Sequence, residues 1–353
     1  MGNQIVIDGS IGEGGGQVLR TSLALSALLE LPVVIANIRV GRKKPGLRPQ
    51  HLAAVRALAS ISAAEVMGDA ENSTSLIFIP QSIRGGNYRF SIGTAGSVSL
   101  LAAAILPTLL FAHHPSVVVL EGGTHVPFSP VFHYLEKVFL PILCRMGGKV
   151  SATLDRWGWY PRGGGKCTLR ITPCQGLKAL HLPYRGRLRN LTLMLGLSGL
   201  PLHIIDREEA HIRTRLEEAG YAIERRFEPV VSPGQGNVLF LKGEYEDGVA
   251  GFSALGKKGK PAEKVADDLC RQFFDFENSN GSVDKHLADQ LLLYMALAEG
   301  DSIFVTEKVT SHLMTNIEII EKFLPVHFTV DRVVHSIAVT GTAYTVQTKE
   351  SQQ

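Results

Sequence analysis

Apolar positions along this chain switch between a period of two and a period near four, and the switches recur in one order. Residues 4–8 alternate around Ile5 and Ile7 and predict a strand, and residues 14–29 carry apolar side chains at helical spacing. Residues 32–40 (PVVIANIRV) read as a strand, 49–63 as a helix, and 65–67 and 75–79 as two short strands. The order is β-α-β-α-β-β. It returns from about residue 86, with a strand at 88–92, a helix at 98–112, a strand at 116–120, a helix at 130–146, and strands at 149–154 and 166–172. A third copy opens with a strand at 177–184. Its remaining parts come only at 284–300 (helix), 302–308 (strand), 311–323 (helix), 326–332 and 335–340 (strands).

The interrupting segment has its own strand-helix-strand-strand-helix order. It holds the densest charge clusters, Asp206-Arg207-Glu208-Glu209 and Lys257-Lys258-Gly259-Lys260. A domain inserted at a surface loop fits this pattern. The expected fold class is α+β, an α/β sandwich. Three repeated β-α-β-α-β-β units would lay helices on four-stranded sheets, with a small inserted α/β domain. The boundaries that follow are a core of residues 1–184, an insert at 185–280, the remainder of the third unit at 281–340, and a tail at 341–353.

Composition narrows this only a little. The chain has 353 residues, 45% hydrophobic and 20% charged, which is ordinary for a globular protein with a substantial core. A net charge of +3 is too small to argue for nucleic acid by bulk charge, so a local basic patch must carry that argument. The N-terminus lacks the basic and long apolar regions of a signal peptide, and Val6 stands where myristoylation requires Ser or Thr. The longest apolar segment, Val98 to Ala112, is too short to span a bilayer and contains Pro107. Cys144, Cys167, Cys174 and Cys270 show no CxxC spacing and read as reduced thiols. A cytoplasmic protein without a membrane role is expected.

Five glycines fall within residues 9 to 16, in GSIGEGGGQVLR, between the first strand and the first helix. Such a junction aims backbone N–H groups and the positive end of a helix dipole at one spot, which suits an anion. Glu13, Gln17 and Arg20 add a carboxylate, an amide and a fixed cation. The loop is neither a Walker A sequence nor a dinucleotide fingerprint, and a plain tight turn reads equally well. A second stretch, from Arg39 to Arg48, places five cations in ten residues between a strand and a helix. A solvated loop is the ordinary reading of such a run, and phosphate binding the sharper one. Gly93-Thr94-Ala95-Gly96-Ser97 opens a helix, where Ser97 or Thr94 suits a cap. Asp289 and Gln290 interrupt an apolar helix face and need partners, structural or ligand. His312 and Asn316 share a helix face at i, i+4; a surface or capping histidine is the commoner outcome there.

Taken in order, GSIGEGGGQVLR, RVGRKKPGLRPQH, GTAGSVSLL, EGGT, HLADQLLLYMALA and SHLMTNIEIIEKFLP resemble the RNA 3′-terminal phosphate cyclases. The likeness covers residues 4 to about 340. It implies three such units with an insert in the third, and an ATP-dependent conversion of an RNA 3′-phosphate to a 2′,3′-cyclic phosphate. It implies His312 as the nucleophile, attacking the ATP α-phosphorus to give a histidine–AMP intermediate and pyrophosphate. AMP then passes to the RNA phosphate, and the 2′-OH expels it. The same resemblance assigns phosphates to Arg20, Arg39 and Arg42, and polar site positions to Gln17, Gln50 and His51. It gives Glu13 to a divalent metal, Mg²⁺ or Mn²⁺. The nucleotide pocket falls on the run His286, Leu287, Ala288, Asp289 and Gln290, together with Ala103. A homodimer is the family expectation.

The chain departs from the family pattern at three places. Ala103 stands where Gln is frequent, His125 follows Gly122-Gly123-Thr124 where Asp is frequent, and His286 stands where Tyr is common. Two rival functions remain at this point. One is a non-catalytic cyclase-like scaffold of ribosome assembly, which lacks the nucleophilic histidine. The other is an enolpyruvyl transferase, built from more units of similar kind.

Overall fold

The structure is a computed structural model and describes residues 4–230 and 232–345. Strand β1 (Ile5–Asp8) leads through the glycine loop into helix α1 (Gly16–Leu29), then β2 (Val33–Ala36), α2 (Pro49–Ser62), β3 (Glu65–Met67) and β4 (Leu76–Ile79). The strands form a sheet in the order β1-β2-β4-β3, with β1 and β2 parallel and the other neighbours antiparallel. Next come β5 (Asn87–Ser91), α3 (Val98–Leu110), β6 (Ser116–Gly122) and a helical run. That run is made of α4 (Phe132–Tyr134), a π-helical turn (Leu135–Phe139) and α5 (Leu140–Arg145). β7 (Lys149–Arg156) and β8 (Gly165–Thr172) complete a second sheet, β5-β6-β8-β7.

After β9 (His181–Leu182) the chain leaves for β10 (Leu188–Ser198), α6 (His203–Glu218), β11 (Glu224–Pro229), β12 (Gly236–Tyr245), β13 (Val249–Leu255) and α7 (Ala262–Glu277), whose sheet runs β11-β10-β12-β13. It returns as α8 (Lys285–Leu297), β14 (Asp301–Val305), α9 (Ser311–Phe323), β15 (Thr329–Asp331) and β16 (Ser336–Thr340), in a sheet β9-β14-β16-β15. The architecture is therefore four mixed four-stranded sheets flanked by helices, each with one parallel pair.

Helix α1 is the hub. It packs on α2, α3 and α9, and α9 lies against α8. Their apolar faces, including Leu19, Leu23, Leu106, Leu291 and Ile320, merge in one buried cluster. A second cluster, with Leu193, Leu241, Phe273 and Phe276, lies between α6, α7 and their own sheet. No helix among the described residues is long and apolar enough to cross a membrane.

Several elements differ from expectation for visible reasons. The strand over 32–40 stops at Ala36, because Asn37 and Arg39 take left-handed backbone angles (φ 53° and 56°). The helix over 130–146 begins at Phe132 and widens into the π-helical turn just before Pro141. That proline has no N–H, and its ring would meet the carbonyl one turn back. The strand over 177–184 survives only at His181–Leu182, ahead of Pro183. The segment after β9 has one strand more than expected. β11 (ERRFEP) carries charge on both faces and so shows no apolar alternation. Thr342 to Tyr344 is bound to the end of α8 through backbone bonds to Ala296, Ala298 and Leu297, and the Tyr344 hydroxyl donates to Leu28 O at 2.7 Å. Residues 346–353 of the expected tail lie outside the described residues.

Glu208 on α6 is buried, and Asn237 Nδ2 donates to both its carboxylate oxygens at 2.7 and 2.8 Å. Burial pushes its carboxyl up from 4.5 to about 7. A raised carboxyl binds its proton more tightly folded than unfolded, so folding stability falls as pH rises through that window. Glu208→Gln is expected to remove this slope, on the order of 3 kcal/mol across the window. Melting temperature followed against pH checks it; an unchanged slope contradicts it.

Candidate active site

The glycine loop seats the N-terminus of α1 against α9. Gly12 has φ +58°, and a Cβ there would fall 1.9 Å from Thr315 Oγ1, so only glycine lets the loop approach this closely. Gly15 caps α1 without a side-chain hydrogen bond, and the first turn carries no acidic residue. Its leading N–H groups are thus left facing the loop, as an anion requires.

His312, in the first turn of α9, is half exposed and faces the loop. Its Nδ1 lies 2.7 Å from Gln17 Oε1, and its Nε2 lies 3.0 Å from Glu13 Oε2. The Gln17 amide is oriented in turn, because its Nε2 donates to Asp289 Oδ1 on α8. That leaves the Gln17 oxygen as the acceptor toward His312, so Nδ1 must carry a proton. The 3.0 Å contact with the Glu13 carboxylate is that of a protonated Nε2; when that proton leaves, the lone pair resides on Nε2, at the mouth beside Glu13. Asp289 is itself held by α9, whose Asn316 donates Nδ2 to Asp289 O at 2.9 Å and accepts from Thr21 Oγ1 at 2.7 Å. Burial pushes the Asp289 carboxyl up, while the Gln17 hydrogen bond and the charges of His312 and Arg20 oppose this.

Glu13 receives three groups: the Ser311 hydroxyl, His312 Nε2, and Arg42 Nη2 at 3.6 Å. These hold its carboxyl below the usual range, the Ser311 hydrogen bond most of all. Arg42 also donates to Glu13 O at 2.8 Å, tying the cationic loop to the glycine loop. Arg20, one turn into α1, has no hydrogen bond or ion pair among the described residues. Burial lowers it to about 10, with Asp289 opposing, and it remains a cation. His51 stands beside it, and a Cβ at Gly16 would meet His51 Nε2 at 2.4 Å and Arg20 Nη1 at 2.9 Å. His51 Nδ1 accepts from Arg48 N at 3.1 Å, so its Nε2 carries the proton and faces the α1 N-terminus. Burial first, then Arg20, Arg39 and Arg48, lowers His51 to about 3, so the ring is neutral at physiological pH.

The remaining expected residues divide. Gln50 Oε1 accepts from Ser97 N at 3.3 Å and links this site to the second glycine loop. Arg39 turns inward, its Nη1 donating to Lys44 O (2.9 Å) and Gly46 O (2.8 Å), so it shapes its own loop. Leu287 and Ala288 are fully buried, so their side chains pack the core and face no ligand. His286 is exposed, with its ring edge-on to Tyr134. Gln290 Nε2 donates to His286 O at 3.2 Å. Ala103 is half-buried on α3, which lies against α1 and α8. His125 is buried between Thr124 Oγ1 (2.8 Å) and His133 Nδ1 (2.9 Å) and stacks on Trp157. Ser311 and Thr21 escape sequence reasoning. Thr21 sits at i+4 from Gln17, the one signal that marks it.

For a divalent metal, Glu13 is the available carboxylate. No group of three His, Cys, Asp or Glu that could hold an ion is present among the described residues. One carboxylate beside a helix N-terminus suits Mg²⁺ or Mn²⁺ brought by a phosphate ligand, since these ions take most of their shell from phosphate and water.

Asp289→Asn is expected to free the Gln17 amide to flip, which would allow the wrong histidine tautomer. Any reaction at the His312 imidazole is expected to slow about 10–100-fold, the range for outer partners that orient metal-binding histidines. The rate of nucleotide transfer to the protein, measured beside an unchanged melting temperature, checks this.

A family model described as RNA 3'-terminal phosphate cyclase matches residues 11–330. The RNA 3'-terminal phosphate cyclase of Trichormus variabilis is 44% identical over 346 residues, 96% of this chain and 99% of its own. That of Pyrobaculum neutrophilum is 43% identical over 329 residues, 92% of this chain and 94% of its own. That of Koribacter versatilis is 46% identical over 328 residues, 92% and 91% of the two chains.

Proposed function

The chain belongs to the RNA 3′-terminal phosphate cyclase family, and on that premise we propose that His312 is the residue through which it acts. The enzyme uses ATP to convert an RNA 3′-terminal phosphate to a 2′,3′-cyclic phosphate, through a covalent histidine–AMP and an RNA–adenylate anhydride. The observation that carries the assignment to His312 is the Asp289–Gln17–His312 chain, which pins the proton on Nδ1 and leaves Nε2 as the nucleophile.

His312 Nε2 forms a bond to the ATP α-phosphorus as the bond to the pyrophosphate oxygen breaks, and pyrophosphate leaves. An oxygen of the RNA 3′-phosphate then attacks the same phosphorus, releasing the imidazole and forming the anhydride. The 2′-OH attacks the RNA phosphorus, its proton is lost, and AMP departs with the bridging oxygen. That last step is intramolecular, so proximity supplies much of its rate. Arg20, the α1 N-terminus and His51 Nε2–H are proposed to hold the phosphates, with Arg42 beside Glu13. Glu13 would hold the divalent ion, which neutralises phosphate charge when bound. The contact between His312 Nε2 and Glu13 must open as the α-phosphorus approaches.

The shared order of β1 to β4, of β5 to β8, and of β9 with β14 to β16 supports reading the fold as three β-α-β-α-β-β units, with residues 185–280 inserted in the third. A 3′-phosphorylated oligonucleotide incubated with ATP and Mg²⁺ tests the function. Its terminal phosphate is expected to become resistant to phosphatase, while phosphoenolpyruvate is left unchanged. A terminus that stays phosphatase-sensitive contradicts the reading.

A further inference from the structure

The loop between β7 and β8 reaches toward the active site without being part of it. Its Gly163 lies against the second glycine loop, where a Cβ would come within 3.0 Å of Ala95 Cα and Thr94 O. That loop joins the site through Ser97 N and Gln50 Oε1. The base of the β7–β8 loop is fixed by buried aromatics: Trp159 is 3% exposed, and His125 stacks on Trp157 at 4.1 Å. The next residue, Tyr160, is left out of this packing and is 65% exposed.

His125 and Trp159 are bridged in parallel, so the segments that leave them start side by side. The one leaving His125 carries Phe128, which is fully exposed and has φ +63°. A bulky residue held in a left-handed conformation and in water violates two preferences at once. Arg156, at the end of β7, and Arg162 stand on either side of Tyr160 along the chain. Both are exposed, their only side-chain bonds go to Gly164 O and Pro233 O, and neither has an acidic partner among the described residues. Arginines of the neighbouring β10–α7 segment, such as Arg207, Arg213 and Arg225, are paired with glutamates.

We propose that Phe128, Tyr160, Arg156 and Arg162 form the track for the single-stranded RNA immediately 5′ of the reacting end. Exposed rings that stack bases beside unpaired cations that meet phosphates are what a single strand requires, without sequence readout. A cavity of about 360 Å³ that opens beside Gly12 and Ser311 is unsuited to a polyanion, because Glu318 and Glu321 line it. The track rests on the functional reading above, because the strand it guides is that reaction's substrate.

The test compares a 3′-phosphorylated dinucleotide with a long single-stranded oligonucleotide. Removing a ring, Tyr160→Ala or Phe128→Ala, is expected to raise KM for the long substrate roughly 10-fold. KM for the dinucleotide, and labelling of the protein by ATP without RNA, should stay unchanged. Tyr160→Phe should restore the long-substrate KM, and Arg156→Gln should flatten its salt dependence. Equal losses on both substrates, no loss on either, or Phe128→Ala dissociating a dimer with RNA affinity intact would overturn the track. RNA binding by fluorescence anisotropy without ATP reads it separately. An inactive wild type that still binds long RNA through Tyr160 would sink the reaction and keep the track.

Discussion

Replacing His312 with alanine is expected to abolish transfer of AMP from ATP to the protein and, with it, cyclisation of a 3′-phosphorylated RNA. The expectation follows from the geometry around one ring. Gln17 is turned by Asp289 so that its oxygen faces Nδ1, and no other histidine has a partner of this kind at the mouth of the glycine loop among the described residues. The fold should survive. His312 is half exposed in the first turn of α9, and a surface substitution there costs about 0.5 kcal/mol or less. The variant should still close the ring on an RNA supplied already joined to AMP, because that step uses the 2′-OH and not the imidazole. Labelling with α-labelled ATP and cyclisation of the preformed anhydride, measured on one preparation, check both halves. If His312→Ala failed on the preformed anhydride as well, His312 would have a role in ring closure that this mechanism does not give it.

Arg20→Ala is expected to lower the rate of AMP transfer about 10²–10³-fold, the range for loss of a preorganised group that stabilises charge in a transition state. Arg20 is half-buried beside the α1 N-terminus and His51, and it has no acidic partner within hydrogen-bonding distance among the described residues. A structural arginine in such a place would be paired, and its loss would leave a buried charge behind. Here no hydrogen-bonded partner is left behind and only the Asp289 carboxylate loses a favourable charge nearby, so the melting temperature should change little. A rate unchanged by the substitution would remove Arg20 from the phosphate site, and a marked fall in melting temperature would make its role structural.

The repeated four-stranded sheets with their helices are legible in the sequence because they rest on periodicity, which the apolar residues of each element carry. Helices α1, α2, α8 and α9 start or end within two or three residues of the expected positions, with Pro49 opening α2 and Asp284 capping α8. What the pattern could not show was backbone conformation that apolar spacing does not encode. The left-handed turns at Asn37 and Arg39 cut β2 short, and the π-helical turn at Leu135–Phe139 has no hydrophobic signature.

The sequence marks single residues of the candidate site and not the contacts between them. Asp289 stood out as a carboxylate on an apolar helix face, but its partner is 272 positions away, and only the packing of α1 and α8 against α9 joins them. Arg39 reads as a phosphate ligand from its basic run, and the contacts of its Nη1 with the carbonyls of Lys44 and Gly46 come from turn geometry that the run does not show. Leu287 and Ala288 belong to the same short sequence run as Asp289, yet helical geometry turns them away from it, into the core.

The covalent bond to AMP is assigned to His312 Nε2. Wild-type protein incubated with ATP and Mg²⁺ in the absence of RNA, digested without acid and examined by mass spectrometry, reads the modified residue directly. AMP is expected on the peptide carrying His312, as an acid-labile adduct absent from His312→Ala. AMP on any other residue, Lys43 or Lys44 of the cationic loop included, or an adduct that persists in His312→Ala, would contradict it.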